Sequence, residues 1–102
     1  MACGRTSPTV GPMRDFVGEQ YLPALGGELA TRWAAAAREA AEQLTGEGTP
    51  VYYVRAIFIP EDETCIHLYR AESIEAVRAA AGRASLRLDR LAQALSDGGA
   101  AR

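Results

Sequence analysis

Residues 50–71, PVYYVRAIFIPEDETCIHLYRA, constrain the fold more than any other stretch of the chain. Tyr52, Val54, Ala56 and Phe58 alternate with Val51, Tyr53, Arg55, Ile57 and Ile59. Beyond 60–63, Ile66 and Leu68 alternate with Cys65, His67 and Tyr69. A period of two in runs of β-branched and aromatic residues predicts two strands joined by a short charged connection. The alternation sorts the side chains into two sets. The wholly apolar set, Tyr52, Val54, Ala56, Phe58, Ile66 and Leu68, is expected to meet a helix layer. The other set, with Tyr53, Arg55, Cys65, His67 and Tyr69, is expected on the opposite, open face, where a site is to be sought. Val51, Ile57 and Ile59 share that second face, and exposed apolar side chains in such number predict a partner surface and hence a homodimer.

The flanking sequence supplies the remaining elements. Residues 15–22 alternate Val17, Glu19 and Tyr21 against Phe16, Gly18 and Gln20, a first strand that Pro23 ends. A helix follows from Gly26-Gly27 to Leu44, with Leu29, Trp33, Ala36, Ala40 and Leu44 as its apolar stripe. Gly46 and Gly48 are expected to end it, with Gly46 as the left-handed terminator. Ser73 predicts an N-cap, with Glu75 in the first turn, for a second helix whose stripe is Ile74, Val77, Ala81 and Ala84. Residues 86–95 suggest a last short strand, although LAQAL suits a helical turn equally well. The order βαββαβ with two helices on one sheet face is the ferredoxin-like α+β sandwich, with strand order 4-1-3-2. A leader at 1–13, rich in Gly, Pro, Ser and Thr, and a tail at 96–102 are expected to be flexible, with the folded domain spanning 14–95.

A chain of 102 residues with 48% hydrophobic content and a net charge of −2 describes one globular domain. All eleven basic residues are Arg, and no basic block provides the positive footprint of a nucleic-acid binder. Two cysteines, Cys3 and Cys65, give no disulfide framework. No apolar run is long enough to span a bilayer, so a cytoplasmic protein is expected.

Residues 14–91 of the chain resemble a small bacterial ferredoxin-like family of unknown function, often labelled nickel-binding protein. The resemblance rests on Glu19-x-Tyr21-Leu22-Pro23, on Ile57-Phe58-Ile59-Pro60-Glu61-Asp62-Glu63-x-Cys65, and on Ala71-x-Ser73-x-Glu75-Ala76-Val77-Arg78. Asp89-Arg90 closes the match, and Pro60-Glu61-Asp62-Glu63-x-Cys65 is its most specific element. It implies a ferredoxin-like dimer and, in some members, surface-bound divalent nickel. Such sequences often carry a His in the second helix, near where this chain has Ala80-Ala81-Gly82.

Cys65-x-His67 places a thiol and an imidazole on one strand face, with Cα atoms roughly 6.5–7 Å apart. Sulfur plus imidazole suits nickel, copper or zinc, and Glu19 or Asp89 from neighbouring strands would complete the ligand set. The competing reading makes Cys65 a small buried hydrophobe and His67 a hydrogen-bonded sheet residue. Glu19, Arg55, His67 and Asp89 also form a candidate charge cluster on the open face, with Tyr21, Tyr53 and Tyr69 as walls. That arrangement suits an enzyme or binder of a small organic molecule, of isomerase, cyclase or cofactor-free oxygenase type. Glu19 or His67 would be its base and Arg55 its anion anchor. The carboxylates of 60–63 lack the ligand spacing and glycine of a calcium loop and read as a solvated turn.

Overall fold

The computed structural model describes residues 12–95. Its elements run β1 (Arg14–Tyr21), α1 (Gly27–Gly46), β2 (Val51–Ile59), a single 3-10 turn (Pro60–Asp62), β3 (Thr64–Ala71), α2 (Ile74–Arg83) and β4 (Arg90–Ala94). The strands form one antiparallel sheet in the order β2-β3-β1-β4, so β3 and β1 are central and β2 is a nine-residue edge. This is the ferredoxin-like α+β sandwich that the sequence predicts. Residues 1–11 of the expected leader and the expected tail at 96–102 lie outside the described residues.

Local signals explain most boundaries. Ser73 caps α2, its Oγ accepting from the backbone N–H of Ala76 at 3.2 Å. The segment at 90–94 is a strand rather than a helical turn because its backbone pairs with β1, Asp15 opposite Ala94 and Gly18 opposite Leu91. The left-handed residue after α1 is Gly48, with φ 106°, whereas Gly46 is still helical. The helical stripes also differ from expectation by about one position. α1 buries Ala30, Ala37, Ala40, Ala41 and Leu44 and leaves Leu29 exposed, and α2 buries Ala76, Val77, Ala80 and Ala81.

These Ala-rich surfaces decide how the sheet is oriented. Small side chains let both helices approach closely and leave the volume of the interlayer core to be filled from the strands. Phe16, Val51, Tyr53, His67 and Tyr69 fill it, each buried against the helix layer. Each large apolar side chain so buried contributes about 1.5–3 kcal/mol relative to exposure. The expected assignment of faces on β3 is therefore inverted. Cys65, His67, Tyr69 and Ala71 face the helices, while Ile66 and Leu68 take the open face.

On β2 the alternation itself breaks. The register with β3 shifts between Tyr53 and Arg55, an irregularity that lets two residues occupy the place of one. Val51 and Tyr53 face the helices before it; Ala56 and Phe58 pack toward the same core after it. Ile57 lies on the open face as expected, opposite Ile66, but Val51 does not.

Candidate functional site

The buried polar side chains of the sheet converge under the helices. His67 is fully buried at the centre of β3, directly across from Gly18 of β1 and Ala56 of β2. Its Nε2 lies 2.9 Å from Gln20 Oε1 and its Nδ1 lies 2.7 Å from the Tyr53 hydroxyl. The Nε2–H tautomer satisfies both contacts at once, donating to the Gln20 carbonyl and accepting the Tyr53 O–H. Burial lowers the His67 pKa from its ordinary 6.5 to about 4, so the ring is neutral at pH 7. Burial likewise raises Tyr53, and pushes the Tyr69 hydroxyl up to about 12.

Two aromatic contacts extend this cluster. Tyr69 packs edge-on against Tyr53 with ring centroids 5.1 Å apart, and its own hydroxyl is buried without a hydrogen-bond partner among the described residues. On the other side the Arg38 guanidinium of α1 lies 5.1 Å above the Tyr53 ring, a cation–π contact. A chain of contacts thus links an exposed arginine to a buried imidazole. Sequence reasoning missed Gln20 and Arg38. The alternation that put His67 on a face with Cys65 could have included Gln20, which pairs with Cys65 across β1 and β3.

The structure separates the expected metal ligands. Glu19 stands opposite Ile66, on the sheet face away from Cys65 and His67. Cys65 packs with Leu22 and Ala30 in an apolar cluster, where burial raises its thiol pKa and disfavours the thiolate that a metal requires. Both ring nitrogens of His67 are already engaged. Among the described residues no three His, Cys, Asp or Glu side chains are grouped to hold a metal ion. The residues Cys65, His67 and Glu19 do not fit a single nickel-type site in this fold.

The expected charge cluster divides in the same way. Glu19 is on the open face and Arg55, at the exposed edge just after the register shift, borders depressions on both sides of the sheet, whereas His67 is beneath the helices. Asp89 precedes β4, and its Oδ2 accepts the Tyr21 backbone N–H at 2.8 Å while its own N–H donates to the Glu19 carbonyl at 2.7 Å. It extends the β1–β4 pairing. Tyr21 is exposed at the end of β1, where the charge of Glu63 raises its pKa.

The charged connection at 60–63 is more than a solvated turn. Glu63 adopts a left-handed conformation, φ 49°. Its carbonyl accepts from Leu22 N–H at 2.9 Å and its carboxylate from Ala24 N–H at 3.1 Å. One residue of this connection therefore holds the loop between β1 and α1, and Cys65 two positions later packs on Leu22.

No protein-family model, curated protein or solved structure matches the chain. No helix among the described residues is long and apolar enough to cross a membrane.

Proposed function

We propose that this protein binds a small organic molecule at the Gln20–His67–Tyr53 cluster between sheet and helices, and that it does so as a homodimer joined through the open sheet face. The observation that carries the reading is the buried Tyr69 hydroxyl, unpartnered beside a fully satisfied His67–Tyr53 pair. A buried hydroxyl without a partner costs about 1–3 kcal/mol, and a ligand polar atom would relieve that cost. Neutral His67 offers a proton acceptor to such a ligand once Tyr53 turns away, so isomerase-type chemistry is compatible with the cluster. The dimer is supported by the aliphatic open face, where Val17, Ile57, Ile66 and Leu68 lie on three adjacent strands. Glu19 and Arg55 border it, opposite Ile66 and Leu68 in the ladder, and Asp15 and Arg70 are paired with each other at 3.2 Å.

Ligand-observed NMR screening of small acids, ketones and phenols tests the reading, with Tyr69→Phe and His67→Gln run beside the wild type. Hits weakened in both variants support it, and hits indifferent to both reject it. Calorimetry of tag-free protein with nickel, zinc and copper covers the metal alternative. Saturable binding that is lost in both Cys65→Ser and His67→Ala would return the function to a transition metal.

A further inference from the structure

The groove between α1 and the edge strand β2 has a composition that the buried cluster does not explain. It is an open groove of about 380 Å³, with Ala30, Ala34, Ala56 and Phe58 as its apolar floor and Arg38 and Arg55 among its lining residues. Among the described residues no carboxylate lines it and neither guanidinium is in an ion pair. Arg38 is held in place from two sides, stacked on Tyr53 and donating from Nη2 to the Val54 carbonyl at 3.3 Å. That carbonyl belongs to the irregular stretch of β2, so the break in the ladder supplies the acceptor that orients the guanidinium. A guanidinium fixed in this way keeps other N–H donors free for a planar, two-oxygen acceptor. A second depression of about 270 Å³ shares Arg38 and exposes part of Tyr53, but Glu42 lines it and disfavours an anion there.

We infer that the groove binds the carboxylate of a small organic acid with an apolar body, clamped by Arg38 and Arg55. The groove adjoins the site proposed above through Arg38, which stacks on Tyr53, and only its connection to His67 rests on that reading. The volume suits a drug-sized or smaller molecule. The apolar floor accepts the body, and the two cations accept the head.

The test uses benzoate as probe and benzamide, its neutral counterpart, as control, followed by backbone amide shifts of the full chain. Benzoate is expected to shift residues of α1 and β2 saturably, and benzamide is not. Arg38→Gln and Arg55→Gln should each weaken benzoate about tenfold or more. Arg38→Lys, which keeps the charge but loses the fork, should recover only part of the affinity, and Arg87→Gln should change nothing. The absence of saturable benzoate binding, or wild-type affinity in Arg38→Gln or Arg55→Gln, overturns the inference. Tyr53→Phe separates the two claims. If benzoate still needs Arg38 and Arg55 but is indifferent to the Tyr53 hydroxyl and to His67→Gln, the groove stands and the buried-cluster reading falls.

Discussion

His67 is the chain's one histidine, and its two hydrogen bonds and full burial give it a measurable signature. Its folded-state pKa of about 4 lies below the ordinary 6.5, so between these values the unfolded chain binds more protons than the native one. Stability from this residue is therefore complete above pH 6.5 and is lost as pH falls toward 4, by a total of order 3 kcal/mol. Denaturant titrations at a series of pH values should show that slope in the wild type and a flatter one in His67→Gln. Proton NMR of the single imidazole reads the shift directly. Tyr69 makes the complementary prediction. Because its hydroxyl is buried without a partner among the described residues, Tyr69→Phe should be neutral or stabilising by up to about 1 kcal/mol in urea unfolding. Tyr53→Phe, which strips His67 of a partner, should destabilise by about 1–3 kcal/mol in the same assay.

Between elements, two contacts fix how β1 joins its neighbours. Glu63 holds the β1–α1 loop through backbone carbonyl and side-chain carboxylate. Glu63→Ala should cost about 1 kcal/mol by thermal or urea unfolding, since a charge-assisted bond is lost at an exposed position and a left-handed residue gains no relief. Gly18, opposite His67, lies beneath the incoming Leu88 side chain, and a Cβ there would stand 2.7 Å from Leu88 Cδ1. Gly18→Ala should destabilise by about 1–3 kcal/mol. Adding Leu88→Ala should recover part of that loss, a coupling that a double-mutant cycle measures. Both contacts involve connections rather than regular structure. That is why Glu63, at the end of the Pro60–Asp62 turn, and Asp89, on the approach to β4, have defined jobs in holding the sheet together.

At the scale of the whole fold, the two-layer sandwich has no helix over one sheet face among the described residues. Ile57 is 41% exposed there, with Leu68 and Ile66 half-buried beside it. If this face joins two copies, a charge at its centre should split them. Leu68→Glu is expected to convert a dimer to a monomer in sedimentation velocity without unfolding it, because its side chain lies outside the interlayer core. A wild-type protein that sediments as a monomer at micromolar concentration removes the dimer from the proposed function.

The order of elements was legible in the sequence because its signals are local. Period-two runs at 51–59 and 64–71, the Ser73 cap and the breaks at Pro23 and Gly48 each act within a few residues. From these, right-handed crossovers lead to the observed strand order. The pairing of Cys65 and His67 on one face was legible for the same reason. Which face that would be was not. Alternation gives two faces but does not say which meets the helices, and polarity pointed the wrong way because His67 and Tyr53 satisfy each other in the core. The Ala-rich helices were the available clue, since small helix side chains require bulky strand side chains opposite them. The irregularity at Val54 and the partners Gln20 and Arg38 exist only in three dimensions, because sequence separations of up to 47 residues are closed by strand register and helix packing. Sequence set the elements and their order; tertiary packing decided that the imidazole lies inside, between a tyrosine and a glutamine, and that Glu19 lies on the other side of the sheet.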